Sequence, residues 1–182
     1  PARIEKGGGV GAVAPGDTGR TTVHLRPGTY VMDCAVRTAE GRRHRALGMV
    51  DSLIVTDSTT GASPPDADVT VRVSGSDLRV ADTLGAGTKT VKVRVDRAPE
   101  GDSAYFAMLA RLDPDADVED LVDWNLHVPP PARYLGGFEY IPTSDSAYFT
   151  VDLPPGRYAW HWGYFGQDYR AKGLVVEGPQ RR

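Results

Sequence analysis

Residues 90–95 read Thr-Val-Lys-Val-Arg-Val, and residues 69–73 read Val-Thr-Val-Arg-Val. In both stretches a valine alternates with a polar or charged residue. Because successive side chains of a β-strand point to opposite faces, this period of two predicts strands with one buried face and one face in water. Similar short stretches recur along the chain, separated by Gly, Pro, Asp and Ser. Many short strands with closely spaced turn signals predict an all-β sandwich or barrel.

The composition agrees with a folded β-rich chain and argues against several classes of function. The 182 residues include 21 glycines and 14 prolines, and 40% of them are hydrophobic, which is enough to build a core. The 21 basic and 24 acidic residues nearly balance, which argues against a protein that binds the nucleic-acid backbone. The sequence contains no apolar stretch long enough for a transmembrane helix. Its single cysteine excludes an internal disulfide.

Patterns from residue 69 onward predict most of the secondary structure of the chain. Residues 104–112 are almost entirely apolar, which is typical of a strand buried on both faces. Residues 117–124 begin with acidic residues, which a helix N-terminus favours, and are the one predicted helix. The predicted strands are 69–74, 77–81, 88–96, 104–112, 146–152, 157–163 and 172–177.

An internal sequence match divides the chain into two units. Residues 23–30, Val-His-Leu-Arg-Pro-Gly-Thr-Tyr, match residues 151–158, Val-Asp-Leu-Pro-Pro-Gly-Arg-Tyr, 128 positions later. Downstream, Gly-Met-Val at 48–50 is matched with Gly-Leu-Val at 173–175. The match predicts a C-terminal half of a first domain at 1–56, a polar linker at 57–65, a complete second domain at 66–178 and a tail at 179–182.

Residues 66–130 have no counterpart before Pro1. If the two units share a fold, the first unit lacks roughly 60 to 65 residues of its N-terminal half. Half a sandwich would expose a core face and unpaired strand edges. We therefore expect the missing strands to come from a longer precursor or from another chain.

The first unit carries residues that resemble the C-terminal signature of the cupredoxins, the blue-copper proteins and their multicopper relatives. Pro-Gly-Thr-Tyr at 27–30 is followed by Cys34, then by His44, and then by Met49 in a Gly-Met pair. The resemblance implies an all-β fold of tandem Greek-key cupredoxin-like β-sandwiches, with one short helix in the second copy. It also implies a secreted or extracytoplasmic protein, similar to cupredoxin-like domains of bacterial secreted proteins.

The same resemblance implies a copper site at Cys34, His44 and Met49. In that family a thiolate and an imidazole bind copper strongly, and a thioether binds weakly along the axis. The fourth ligand is a His on an earlier strand, which in this chain would precede Pro1. A second interpretation stays open, in which Cys34 is a small buried hydrophobe and His44 is a surface residue among arginines.

The second unit lacks these ligands. Trp162, Tyr169 and Leu174 stand where the first unit has its Cys, His and Met. Indole, phenol and alkyl groups are not copper ligands. This unit is therefore predicted to be metal-free and to serve as a scaffold or a binding module.

Aromatic residues are concentrated in the second unit, where 14 of the 15 lie between positions 105 and 169. On the predicted strand 157–163, alternation places His161 on one face and three large rings on the other. These three are Tyr158, Trp160 and Trp162. Such a face is typical of core packing.

A stacking surface for a protein or carbohydrate partner is the functional alternative for the aromatic residues. Its predicted members are Tyr164, Phe165 and Tyr169. The sequence shows neither a Gly-x-Ser-x-Gly nucleophile motif nor a phosphate-binding glycine loop, so nothing indicates an enzyme. Two functions stay open: copper binding or electron transfer in the first unit, and a metal-free binding or structural module built on the second.

Overall fold

The computed structural model describes residues 7–58, 61–97, 105–124, 131–139, 146–164 and 167–179, with the backbone alone for residues 164, 167 and 168. The described residues are mostly β, with 55% of them in strands and 5% helical, which confirms the predicted all-β class. The described residues also hold a 3-10 helix, His44–Leu47, and one α-helix, α1, Glu119–Val122. The strands are β1 (Gly9–Val10), β2 (Thr21–Thr22), β3 (Gly28–Asp33), β4 (Val50–Val55), β5 (Val69–Ser74), β6 (Asp77–Arg79), β7 (Thr83–Gly85), β8 (Gly87–Arg97), β9 (Tyr105–Arg111), β10 (Arg133–Glu139), β11 (Ser146–Leu153), β12 (Gly156–Tyr164) and β13 (Gln167–Glu177).

The strands form two large sheets and one hairpin. The six-stranded sheet has the order β1-β10-β9-β12-β13-β7, and the five-stranded sheet has the order β2-β11-β8-β5-β6. Neighbouring strands run antiparallel except in the pairs β5–β8 and β7–β13, which are parallel. Strands β3 and β4 form a separate antiparallel pair.

The two large sheets share one hydrophobic core. Val71 and Val93 of the five-stranded sheet belong to the same buried cluster as Leu109 and Trp160 of the six-stranded sheet. All four side chains are fully buried. Burial of a side chain of this size stabilises the fold by about 1.5–3 kcal/mol. The alternating valines of β5 and β8 therefore face inward, as the sequence pattern predicts.

A second, smaller core covers the outer face of the six-stranded sheet. Phe106 and Met108 of β9 pack there with Tyr134 of β10, and Leu121 of α1 and Trp124 close the cluster from outside. Strand β9 is thus buried on both faces. This explains why it is apolar at nearly every position instead of alternating.

Strands β1, β2, β7 and β10 were not predicted, and the helix is shorter than predicted. Strand β10 carries Gly136 and Gly137 in its middle, which interrupt the alternation that marks a strand. The predicted helix 117–124 is reduced to Glu119–Val122, of which Leu121 alone is buried. So short a segment has little intrinsic helical stability. Within the described parts of the chain, no helix is long and apolar enough to cross a membrane.

Two short N-terminal strands extend the sheets built by the second unit. Strand β1 pairs with β10, placing Gly9 opposite Glu139, and strand β2 pairs with β11, placing Thr22 opposite Tyr148. The Thr21 hydroxyl also donates to the carbonyl of Gly137, at 3.1 Å. The division into domains at residues 56 and 66 stays a prediction. In the structure, residues 9–10 form an edge strand of the six-stranded sheet, and residues 21–22 form an edge strand of the five-stranded sheet.

The two Pro-Gly-x-Tyr stretches have the same local structure. The Tyr30 hydroxyl donates to the carbonyl of Arg26 at 2.8 Å, and the Tyr158 hydroxyl donates to the carbonyl of Pro154 at 2.7 Å. Each tyrosine thus bonds to the residue four positions before it, at the start of a β-hairpin. The hairpins β3–β4 and β12–β13 are therefore locally equivalent, although their surroundings differ.

Candidate functional site

Cys34 and His44 lie side by side in the loop that joins β3 to β4. The Cys34 Sγ atom is 3.6 Å from the His44 Nδ1 atom. Cys34 directly follows β3, whereas His44 is the first residue of the 3-10 helix, and both side chains are half-buried. The structure thus brings together two of the three metal ligands that the resemblance implies.

The backbone of this loop ties all three predicted ligands to one another. The Cys34 amide donates to the carbonyl of Met49 at 3.1 Å, and the Met49 amide donates to the carbonyl of His44 at 3.0 Å. The Arg45 amide donates to the carbonyl of Cys34, also at 3.1 Å. Gly48 makes the turn between His44 and Met49 possible, because its φ of 99° lies in the left-handed region that favours glycine.

The Met49 side chain and an ion pair lie at the surface of the loop. The Met49 side chain is 57% exposed, so its thioether lies at the surface. The guanidinium of Arg45 pairs with the Asp33 carboxylate at 2.7 Å. Because both partners are exposed, this pair adds little to stability. It does offset one of the positive charges close to Cys34 and His44.

The spacing of the two donor atoms fits a shared transition-metal ion. Thiolate and imidazole ligands lie about 2.0 to 2.3 Å from such an ion, so two donors of one ion are at most about 4.4 Å apart. The 3.6 Å between Sγ and Nδ1 satisfies this limit. Among the described residues, His, Cys, Asp and Glu form no cluster of three or more that could hold a metal. The third donor that the resemblance implies is the Met49 thioether.

The equivalent hairpin in the second unit has a shorter loop and a different register from the one that the sequence match suggested. Trp162 pairs with Arg170 across β12 and β13, whereas Cys34 bonds to Met49. The residue in the place of Met49 is thus Arg170, and the assignment of Leu174 to that place was wrong. The physical reason is the loop length, which is eight positions from Trp162 to Arg170 against fifteen from Cys34 to Met49.

The aromatic residues of β12 fill the core, as predicted. Tyr158, Trp160 and Trp162 all belong to the cluster between the two sheets. The Trp162 indole N–H also donates to the carbonyl of Ser76 at 3.1 Å. At the position of Cys34, the second unit therefore holds a core side chain that links β12 to the β5–β6 turn.

The predicted stacking surface is described only in part. Tyr169 is half-buried, and its ring lies 5.5 Å from the ring of His161, so it packs against the outer core cluster. Phe165 lies outside the described residues, and Tyr164 is described by its backbone alone. The three-residue surface stays a prediction.

The burial of His161 and its hydrogen-bond partner were not predicted from the sequence. Its side chain is 1% exposed, and its Nδ1 atom is hydrogen-bonded to the Tyr134 hydroxyl at 2.8 Å. Its Nε2 atom is buried without a hydrogen-bond partner among the described residues. Burial lowers the pKa of His161 to about 4, because charging the ring would cost its solvation. The alternation along β12 already placed His161 opposite the core tryptophans, but no sequence signal pointed to Tyr134.

The carboxyl group of Glu139, in β10, interacts with the carboxyl group of Asp33, at the end of β3. Burial and the negative charge of Asp33 raise the pKa of Glu139 to about 7. Asp33 is the last residue of β3, and Glu139 is the last residue of β10. The β3 end therefore lies close enough to β10 for the two carboxyl groups to interact.

A cleft of ≈ 420 Å³ is lined by the ends of β9 and β11 and by the starts of β10 and β12. Leu135, Val151 and Tyr158 contribute apolar surface to it. Its polar lining residues are Asp17, Thr18, Arg111, Arg133, Thr150 and Asp152. Most of the lining is thus polar or charged, unlike the mostly apolar pockets that bind drug-like molecules.

No protein-family model matches this chain, and no curated protein sequence matches it either.

Proposed function

We propose that this is a non-enzymatic, extracytoplasmic cupredoxin-like protein whose first unit binds copper through Cys34, His44 and Met49. The observation that carries the proposal is the 3.6 Å contact between Cys34 Sγ and His44 Nδ1. A thiolate next to an imidazole is the ligand pair that copper electron-transfer sites use. The shared Tyr-to-carbonyl bond of the two hairpins supports the relation between the two units.

The residues of the loop have distinct roles in this proposal. Cys34 and His44 would hold the ion most strongly, and Met49 would contribute a weak third bond from the surface. Copper would supply one-electron redox chemistry. The backbone hydrogen bonds among Cys34, His44, Arg45 and Met49 hold the donors in place before the metal binds, so less conformational freedom is lost on binding.

The test is a titration of the whole chain with Cu(II). We expect an intense thiolate-to-copper absorption at about 600 nm that saturates at one equivalent. Cys34→Ser replaces a soft thiolate by a hard hydroxyl and should abolish the band, and His44→Ala should weaken or shift it. His24→Ala is the matched control, since His24 is exposed and lies outside the loop. The copper proposal is wrong if the unaltered chain shows no such band. It is also wrong if the band is still present in the Cys34→Ser variant.

A metal-free binding module is the second candidate function, and the cleft between Leu135 and Asp152 favours it. Arg111 and Asp152 face this cleft, and guanidinium and carboxylate groups suit the hydroxyl groups of a carbohydrate. Titration with neutral and acidic oligosaccharides, followed by backbone NMR shifts, tests this candidate. Shifts confined to the cleft in a protein that shows no copper band would favour the second function over the first.

A further inference from the structure

Arg111 is a charged residue at an inward-facing position of β9. Tyr105, Ala107 and Leu109 of the same strand belong to the core between the two large sheets. Because side chains alternate along a strand, Arg111 shares their face. It is half-buried and lines the cleft. A charge on an inward face needs a partner of opposite charge, either from the protein or from a ligand.

Arg133 lies directly opposite Arg111 in the antiparallel pair of β10 and β9. Directly paired residues share a face, so two like charges repel each other here. The Asp17 carboxylate neutralises the Arg133 guanidinium at 2.6 Å. Within the described part of the chain Arg111 has no ion-pair partner, and its hydrogen bond to the Pro155 carbonyl is long, at 3.5 Å. Arg111 is therefore the uncompensated positive charge of the two.

The guanidinium of Arg111 lies against the backbone at the start of β12. A Cβ atom added to Gly156 would be 3.4 Å from the Arg111 Nε atom and 3.5 Å from the Nη2 atom. The absence of a side chain at Gly156 thus leaves room for the guanidinium beside the strand. A guanidinium presents its N–H groups as a planar fork, which matches the two oxygens of a carboxylate.

Asp152 supplies a second recognition group. It lines the cleft next to Thr150, and both residues are exposed. The pKa of Tyr158 is raised, chiefly by burial, while the charge of Arg111 opposes this shift and the charge of Asp152 adds to it. Arg111 and Asp152 therefore both lie near the same tyrosine hydroxyl. A carboxylate accepts hydrogen bonds, so Asp152 suits the hydroxyl groups of a ligand.

We infer that the cleft binds a uronic acid, with the sugar carboxylate on Arg111 and the sugar hydroxyl groups on Asp152 and Thr150. Because Arg111 offers one unpaired positive charge and Asp152 is negative, a singly charged carboxylate fits better than a doubly charged phosphate. Leu135 and Val151 offer apolar surface to the C–H groups of the sugar ring. Such a ligand is an acidic member of the carbohydrate class proposed above for the metal-free module, on which this inference rests.

Backbone NMR shifts of the whole chain, titrated with three small molecules, provide the test. Glucuronate carries both the carboxylate and the hydroxyl groups. Glucuronamide keeps the hydroxyl groups but replaces the carboxylate by a neutral amide, and acetate carries the carboxylate alone. We expect glucuronate to shift the amides of Leu135 and of residues 150–152. It should bind at least about tenfold more tightly than either of the other two molecules.

Variants of Arg111 identify the group that reads the carboxylate. Arg111→Gln removes the charge and should reduce the affinity for glucuronate to that for glucuronamide. Arg111→Lys keeps the charge without the planar fork and should give an intermediate affinity. Arg94→Gln is the matched control, because Arg94 is an exposed arginine of β8 outside the cleft, and it should leave binding unchanged. The three molecules give an answer on the unaltered chain even if Arg111→Gln does not fold.

Equal affinities for glucuronate and glucuronamide would overturn the inference and leave the carbohydrate module standing. Equal affinities for glucuronate and acetate would overturn it as well, because the cleft would then recognise any small carboxylate. The same holds if glucuronate binds Arg111→Gln as tightly as the unaltered chain, or if its shifts lie outside the cleft. If glucuronate causes no shift, a titration with a neutral oligosaccharide separates the two cases. Shifts in the cleft would overturn the uronic acid alone, and no shift would overturn the carbohydrate module too.

Discussion

The Tyr134 hydroxyl lies 2.8 Å from the His161 Nδ1 atom, and this hydrogen bond joins β10 to β12 inside the outer core cluster. The rings of Phe106 and Trp124 lie 5.0 and 6.1 Å from the imidazole. A buried polar pair in such surroundings is costly when one partner is lost or charged. The stability of the six-stranded sheet should therefore respond to both pH and mutation at this point.

The pH dependence of folding follows from His161. Its pKa is about 4 in the folded chain and 6.5 when unfolded. As the pH falls below 6.5, the unfolded chain takes up a proton that the folded chain does not, so the free energy of unfolding decreases. The loss is complete below pH 4 and amounts to about 3 kcal/mol. Urea unfolding across this range checks it. The His161→Gln variant should lack this part of the pH dependence, and parallel profiles for the two proteins would contradict the prediction.

Tyr134→Phe removes the hydroxyl and leaves Nδ1 of His161 buried without its partner. We expect a loss of about 1 to 3 kcal/mol in the free energy of unfolding. Tyr30→Phe is the matched control, because it removes the same group from an exposed bond to the Arg26 carbonyl and should cost less than about 1 kcal/mol. Equal losses in the two variants, measured by urea unfolding, would show that the buried pair contributes nothing special.

Glu139 should act on stability in the opposite direction to His161. Its folded pKa of about 7 lies above its unfolded value of 4.5. Its contribution to stability is therefore fully present below pH 4.5 and is lost as the pH rises through 7. Glu139→Gln keeps a neutral side chain at every pH, so it should raise the melting temperature at about pH 8 and change it little at about pH 4. The exposed Glu177→Gln variant is the control and should show no such crossover.

Gly137→Ala should prevent the close approach of β10 and β9. A Cβ atom at this position would overlap the carbonyl oxygen of Ala107 and lie 2.7 Å from the Met108 Cα atom, and the φ of Gly137 is +146°. Neither backbone can move without breaking the ladder, so we expect destabilisation by more than about 3 kcal/mol. Gly85→Ala has nothing within 4 Å of the added atom, and thermal melting should show it to be nearly neutral.

The fragment 66–182 should fold without residues 1–65 and should bind no copper. It retains β5 to β13 and both core clusters, so a cooperative unfolding transition is expected. It loses the pairing of β1 with β10 and of β2 with β11, so it should melt at a lower temperature than the whole chain. An unfolded fragment, or one that binds copper at one equivalent, would contradict the prediction.

The strands β5, β8 and β9 and their buried faces were readable from the sequence alone. The alternating valines of β5 and β8 predicted which side chains are buried, because the period of a strand is a local property. The uniformly apolar β9 was predicted to be a central strand for the same reason. The sequence match between the two Pro-Gly-x-Tyr stretches likewise corresponds to two segments of the same local structure, since each tyrosine bonds to a carbonyl only four positions away.

Contacts between distant segments were decided by the tertiary structure. The pairing of Tyr134 with His161 depends on β10 and β12 flanking β9, and no periodicity encodes which strands become neighbours. The register of the second hairpin depends on the length of its loop. This loop places Arg170 opposite Trp162, so Arg170 and not Leu174 occupies the position of Met49. The Cys34–His44 contact depends on both the sequence and the tertiary structure. The sequence proposed the residues, and the folded loop determined the 3.6 Å between their donor atoms, because a distance across a loop is set by the hydrogen bonds that close it.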